Sequence, residues 1–201
     1  AALRRQRTRN LAAWTCMVKF QKFPAFPAYR PLFAKDMTLT SLTALSPLDG
    51  RYAAKVEHLR IHFSEYGLIR NRVRVEIEWL KALAAATEIA ECPVFSDATI
   101  MDLDAVISNF SVADAEVIKT IEARTNHDVK AMEYWLKDRL ASNAEVMRVS
   151  EFIHFGCTSE DINNVSHALM LKDAVAGSLL PELDRVIARL RELAHQLAEL
   201  P

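Results

Sequence analysis

Glycine is scarce in this chain, with only 4 residues among 201. Turn-rich β folds use glycine more often, whereas Ala, Leu, Glu, Lys and Arg, which favour helices, are abundant here. The sequence also has no apolar run near the roughly 18 residues that a membrane-spanning helix needs. These shortages predict an all-α protein that does not cross a membrane.

Cysteine is scarcer still. The three cysteines, Cys16, Cys92 and Cys157, are an odd number and lie far apart in the sequence. They cannot all pair with one another, so a reducing compartment explains them most simply. We therefore expect a cytoplasmic protein, unless the first residues of the chain direct it to an organelle.

Acidic residues are nearly absent from residues 1–36, which contain one acid, Asp36, and eight Lys or Arg. The net charge of this segment is +7, and the net charge of the rest of the chain is −8. A basic leader with Phe, Tyr and Pro is typical of an organelle transit peptide, but translated upstream sequence would look the same. A nucleic-acid-binding arm is a further alternative, which we do not favour. We expect this leader to be disordered and the folded protein to begin near Met37.

After Met37 the apolar residues recur at helical spacing. A helix from Ser64 to about Ala86 is predicted by five apolar residues that share much of one face: Leu68, Val73, Ile77, Leu80 and Leu83. Shorter helices are expected near residues 97–110 and 112–123. A further helix, "SEDINNVSHALMLKDAV", is followed by Gly177 and Pro181, which should kink or restart it.

The helix that begins in "RTNHDVK" has clear start signals. Thr125 or Asn126 is the predicted N-cap, and Asp128 lies in the first turn, where the helix dipole favours a carboxylate. Glu133 and Lys137 should form an ion pair that points outward. Four residues should form the buried face: Val129, Met132, Leu136 and Leu140.

The last segment has the most regular pattern. Spacings of three and four alternate along Leu183, Val186, Leu190, Leu193, Leu197 and Leu200, as in a heptad seam. We interpret it as one long helix of a bundle whose partner helices are absent from this sequence, so we expect a truncated C-terminus. An ordinary amphipathic core helix remains the alternative. The expected organisation is a helical N-terminal domain over residues 37–147 and the start of a central helical bundle over 148–201.

His154 and Cys157 first suggest a metal or a nucleophile. His167 offers a third zinc ligand but no fourth is evident, so we expect no metal site. The acids after Cys157 should raise its pKa, which opposes a nucleophilic role. We interpret Cys157 as structural and His154 as a hydrogen-bonded core histidine.

Three other segments are candidates for binding an anion. Thr158 and Ser159 stand at a helix start, where free N–H groups suit a carboxylate or phosphate, although plain capping explains the spacing equally. His127, in "TNHD", either faces a cleft or lies in an ordinary surface turn. In "DGRY", Arg51 could bind a phosphate beside Tyr52. None of the three is specific by itself.

Together, the three segments point to one protein family. "SLTALSPLDGRY", "KTIEARTNHDVKAMEYWLK" and "EFIHFGCTSEDINNVSHALMLK" follow one another in the order and at the spacing of the adenylosuccinate lyase family, in the fumarase/aspartase superfamily. The resemblance covers residues 38–201, and "TSEDIN" resembles the first of the superfamily's three signature regions. "TNHDVK" and "SPLDGRY" resemble the adenylosuccinate branch rather than fumarase or argininosuccinate lyase.

The resemblance implies a β-elimination that releases fumarate from adenylosuccinate, giving AMP, and from the succinyl-carboxamide ribotide of purine synthesis. It implies a nucleotide substrate, no cofactor, and a homotetramer whose active sites are shared between subunits. It also implies that Arg51 and Tyr52 contact the nucleotide. Asn126, His127 and Asp128 would line the substrate site, with His127 assisting the acid side of the chemistry. Thr158 and Ser159 would hold a succinyl carboxylate.

Two motifs of the family are missing from this sequence. The "THGQ"-like motif carries the general-acid histidine, and the "GSS…MP.K.N"-like loop carries the catalytic serine. We therefore expect this chain to be a fragment that has no lyase activity by itself. The alternative from another class is a non-catalytic helical module for oligomerisation or binding that is derived from the same fold.

Overall fold

The structure, a computed structural model, describes residues 46–200, and every regular element among them is helical. The α-helices are α1 (Arg60–Phe63), α2 (Glu65–Ala85), α3 (Asp97–Ser108), α4 (Val112–Thr125), α5 (Asp128–Arg139), α6 (Ala144–Arg148), α7 (Ser159–Ala174) and α8 (Leu180–Gln196). Three-residue 3₁₀ turns lie at Ala53–Lys55, Glu57–Leu59 and Ser150–Phe152, and a π-helical segment at Val175–Leu179. The all-α prediction is confirmed.

Helix α2 is the centre of the fold. Ser64 caps it by accepting a hydrogen bond from the Gly67 amide, as the predicted start requires. Its buried face contacts α1, α3, α4, α5 and α7. Four of the five predicted apolar residues are buried, and Leu68 is half-buried beside the buried Ile69. Because α2 contacts five other helices, it can set their positions relative to one another.

The start of α5 differs from the prediction. Asn126 has a left-handed backbone, with φ of 51°, and ends α4 as its C-cap. The N-cap of α5 is His127, whose Nδ1 accepts a hydrogen bond from the Lys130 amide at 3.1 Å. The predicted N-caps Thr125 and Asn126 are therefore wrong, because the left-handed residue leaves only His127 between the two helices.

The buried face of α5 is confirmed, and the Glu133–Lys137 pair forms as predicted, but its glutamate does not point outward. Glu133 does pair with Lys137, at 3.2 Å, yet Glu133 is buried. Lys130 contacts the same carboxylate at 2.7 Å. Burial alone would raise the pKa of Glu133, but hydrogen bonds from Lys130 and Lys137 hold it below its usual value. The glutamate is inward because α2 and α4 both pack against α5.

Helices α7 and α8 are joined through the π-helical segment that contains Gly177. The predicted restart is confirmed, since Pro181 lies in the first turn of α8. The apolar side chains of α8 are exposed at Leu183, Val186, Ile187 and Leu190. No helix among residues 46–200 combines the length and apolarity needed to cross a membrane.

Residues 46–200 belong to one unit of the chain. The predicted leader, residues 1–36, lies outside the described residues, as do Met37 and Cys16. The predicted boundary between residues 147 and 148 falls inside α6, before its last residue Arg148. That division into two domains stays a prediction.

Candidate functional site

The first part of the candidate site is the junction between α4 and α5. Asn126, His127 and Asp128 line a polar cleft of about 500 Å³, together with Lys119 and Glu122 of α4. The left-handed turn at Asn126 places three successive polar residues where one helix ends and the next begins. These residues therefore face solvent in a cleft, and their role in binding substrate stays a prediction.

The second part is the start of α7, where the two predicted residues have different surroundings. Thr158 is the N-cap: its Oγ1 donates to the Asp161 carboxylate at 2.8 Å and accepts from the Asp161 amide at 3.3 Å. The Asp161 carboxylate also accepts from the Thr158 amide, which keeps the pKa of Asp161 below its usual value. Ser159 is the first residue of α7 and makes no side-chain hydrogen bond within residues 46–200. Capping thus accounts for Thr158 but leaves the Ser159 hydroxyl available to a ligand.

A buried arginine of α2 connects these two helix starts. Arg72 Nη2 donates to Asp128 Oδ2 at 2.6 Å, and its Nε donates to Asn163 Oδ1 at 2.8 Å. Burial alone would raise the pKa of Asp128, but the Val129 amide and the charge of Arg72 hold it below its usual value. Asp128 is therefore a carboxylate at neutral pH, and the "TNHD" and "TSEDIN" segments meet through one guanidinium.

The loop before α7 is hydrogen-bonded to α2, one helical turn after Arg72. The fully buried carboxylate of Glu76 accepts from the His154 amide at 3.1 Å and lies 2.5 Å from His154 Nδ1. The indole Nε1 of Trp79 donates to the Phe155 carbonyl at 2.8 Å. His154 has φ of 65°, a backbone conformation that a residue other than glycine rarely adopts, so these contacts hold the loop in an unusual turn.

His154 is thus a hydrogen-bonded, partly buried histidine, as predicted. Burial, followed by the charges of Glu76 and Asp161, raises the pKa of the half-buried Cys157 thiol. This rise is the direction that the sequence predicted and disfavours a reactive thiolate. Among residues 46–200, no group of three or more His, Cys, Asp or Glu side chains is arranged to hold a metal ion.

Arg51 and Tyr52 lie in the exposed turn that precedes the first 3₁₀ turn. The Arg51 guanidinium stands over the Tyr52 ring, 4.8 Å from its centroid. Within the described residues, no hydrogen bond joins this pair to the starts of α5 and α7. The chain therefore connects two of the three predicted segments directly and leaves the third as a separate cationic surface.

A larger cleft, of about 810 Å³, runs between α2 and α7 and reaches Cys157 and Asp161. Its walls are mainly apolar, with Val75, Trp79 and Val165 among them. The arginine in this lining, Arg74, is paired with Asp173 at 3.5 Å, so the volume of the cleft does not identify an anion site. The smaller polar cleft at α5 contains the predicted residues.

Comparison with known proteins identifies the family of the chain. The family model described as "Lyase" matches residues 50–201. The chain is 55% identical over 165 residues to the adenylosuccinate lyases of Vibrio cholerae and Escherichia coli K12. It is 53% identical over the same length to that of Haemophilus influenzae. Each match covers 82% of this chain but only 36% of the relative, so the chain spans about a third of the length of these proteins.

Proposed function

The chain belongs to the lyase family of the fumarase/aspartase superfamily, and from this premise we propose that the complete protein encoded by its gene is an adenylosuccinate lyase. The reaction removes a proton from the carbon beside a succinyl carboxylate and breaks the adjacent C–N bond. A second group protonates the leaving nitrogen, so that fumarate and AMP are formed. The succinyl-carboxamide ribotide of purine synthesis would be cleaved in the same way.

The observation that carries this proposal is the link between the two helix starts through Arg72. Succinyl substrates present two carboxylates, and the elimination places extra negative charge on one of them. The start of α7 offers its free amides and the Ser159 hydroxyl, which suit a carboxylate. The cleft at α5 offers Asn126 and His127. Two groups of donors, on helices that one guanidinium joins, match a dianionic group better than either group would alone.

Arg51 and Tyr52 are proposed to bind the nucleotide part of the substrate. The Arg51 guanidinium is exposed, and a guanidinium can donate two parallel hydrogen bonds to a phosphate. The adjacent aromatic ring restricts the orientation of that guanidinium. We do not assign the base or the acid of the reaction to these residues, apart from a supporting role for His127 on the acid side.

The assembly belongs to the proposal as well. We propose a cytoplasmic homotetramer in which several subunits contribute to each active site. In this proposal the chain supplies only part of the substrate-binding residues and lacks the "THGQ"-like and "GSS"-like motifs. We therefore expect residues 37–201, expressed alone, to show no turnover of adenylosuccinate in an absorbance assay.

The proposed function is tested on the native protein. An antibody raised against residues 46–200 would isolate it from its source cells, and adenylosuccinate cleavage would be followed by absorbance and by fumarate release. We expect equal amounts of AMP and fumarate, and no activity after the extract is depleted with the antibody. A native protein that binds but does not cleave adenylosuccinate would contradict the proposal and favour a non-catalytic helical module instead.

A further inference from the structure

Arg72 is the most buried guanidinium in the candidate site, with only 9% of its side chain exposed. It comes from α2, while its two partners, Asp128 and Asn163, come from α5 and α7. Burying a charge of this kind is costly unless it is paired and hydrogen-bonded. Here two separate nitrogens of the Arg72 guanidinium donate hydrogen bonds, one to α5 and one to α7.

One bond holds the first residue of α5, and the other holds α7 one turn after its start. Asp128 is the first residue of α5, and its other carboxylate oxygen accepts from the Val129 amide at 2.8 Å. The carboxylate therefore connects Arg72 to the first turn of α5. Asn163 lies one helical turn after Ser159, on the same helix. A guanidinium is planar and its N–H directions are fixed, so it can keep the Asp128 carboxylate and the Asn163 amide oxygen at a constant separation. A flexible ammonium cannot do so.

We propose that Arg72 is a positioning residue that fixes the start of α5 relative to the start of α7, and so sets the affinity for the dianionic succinyl group. Arg72 does not contact the substrate in this account. It acts through Asp128 and Asn163, and the inference rests on the proposed function. A displacement of about 1 Å between binding groups can reduce enzyme efficiency by about 100-fold.

The variants are made in the complete protein. Arg72→Met removes both bonds while keeping an unbranched side chain, and Arg72→Lys can keep only one of them. Asn163→Ala breaks the α7 bond and leaves the pair with Asp128, so it serves if Arg72→Met does not fold. The matched control is Arg74→Met, because Arg74 also joins α2 to α7, through Asp173 at 3.5 Å, without touching either helix start.

The kinetic result separates positioning from a general loss of structure. Unfolding of part of the sample lowers the maximal rate but leaves KM unchanged. We expect Arg72→Met to raise KM for adenylosuccinate about 10-fold or more and to lower kcat/KM about 100-fold. Arg72→Lys and Asn163→Ala should give smaller increases in KM, and Arg74→Met should match the parent. A KM for Arg72→Met within twofold of the parent would overturn the proposal.

A second readout does not depend on activity. Hydrogen–deuterium exchange, followed by mass spectrometry, should become faster at residues 126–131 and at 158–163 in Arg72→Met, and at neither segment in Arg74→Met. Unchanged exchange, or faster exchange at one segment only, contradicts the proposed connection. If the parent protein does not cleave adenylosuccinate, the proposed function fails, and this exchange result alone decides whether Arg72 positions both starts.

Discussion

Thr158 and Ser159 are neighbours in sequence with different roles. Thr158 caps α7 through the Asp161 amide, whereas the Ser159 hydroxyl makes no hydrogen bond to the described residues. We expect Thr158→Ala to lower the free energy of unfolding by about 1 kcal/mol, as loss of an N-cap does. Ser159→Ala should leave stability unchanged but raise KM for adenylosuccinate.

Urea unfolding and steady-state kinetics of the two variants would check this division. An increase in KM confined to Thr158→Ala would reverse the two roles. Equal losses of stability would show that Ser159 also has a structural function.

Glu76 shows how much a single buried charge can contribute. Burial raises its pKa, while the hydrogen bond and charge of His154 oppose that rise. Glu76→Ala should lower the free energy of unfolding by about 3 kcal/mol, because His154 loses its partner in a buried site. Glu78→Ala, two residues away, is the control: Glu78 is exposed and, among residues 46–200, pairs only with Lys81, so its loss should change stability by less than about 1 kcal/mol.

Thermal unfolding of both glutamate variants provides the measurement. If Glu76→Ala were as stable as Glu78→Ala, the bonds to His154 would contribute nothing to holding the loop. Glu76→Gln keeps an acceptor for the His154 amide and should fall between the parent and Glu76→Ala.

Arg72 and Glu76 are the residues that sequence reasoning missed. The sequence did contain a signal for them, since they are four residues apart and adjacent to the buried Val73 and Ile77. Charged residues on the apolar face of a helix must find partners in the interior. Their partners could not be predicted, because Asp128, His154 and Asn163 are 56 to 91 positions away in sequence.

At the scale of the elements, periodic segments were predicted well and junctions were not. Helix α2 follows its apolar period from Glu65 to Ala85, and Ser64 caps it as a serine commonly does. The α4–α5 junction was misplaced because histidine is an uncommon N-cap and Asn126 adopts a left-handed turn. The identity of such a cap depends on the angle between two helices, which local propensity does not determine.

The two helical glycines Gly67 and Gly177 have opposite surroundings. A Cβ atom at Gly67 would lie 2.5 Å from the backbone oxygen of His62, where α1 meets the first turn of α2. Gly67→Ala should therefore lower the free energy of unfolding by about 2–3 kcal/mol, since the backbone must move. A Cβ at Gly177 would meet no atom of the described residues within 4 Å, so Gly177→Ala should raise stability by up to about 1 kcal/mol.

Chemical denaturation of the two alanine variants tests this contrast, and each serves as the control for the other. Destabilisation of both by the same amount would mean that the close approach of α1 to α2 does not constrain position 67.

At the scale of the whole molecule, α8 presents an apolar surface to solvent. Leu190 is 60% exposed and Val186 is 55% exposed, and Leu183 and Ile187 are also exposed. Such a surface on a protein commonly marks an interface. We expect the 201-residue chain to self-associate, and Leu183→Lys with Leu190→Lys to shift it toward the monomer. Glu192→Lys, on the polar part of α8, is the control and should not.

Light scattering with size-exclusion chromatography measures this property. A parent chain that remains a clean monomer at high concentration would contradict the placement of α8 as a bundle helix. The heptad spacing predicted Leu183, Val186 and Leu190 on this surface, but α8 ends at Gln196, before the predicted Leu197 and Leu200. The partner that would cover it could not be predicted from one chain.

The crystal structure of the complete protein with AMP and fumarate bound is the most direct test of the central claim, that the starts of α5 and α7 bind the succinyl group. We predict that a fumarate carboxylate lies within hydrogen-bond distance of Ser159 Oγ and the first amides of α7, that Asn126 and His127 line the same cavity, and that Arg72 bridges Asp128 and Asn163 behind it. A structure in which fumarate contacts neither helix start would contradict the account.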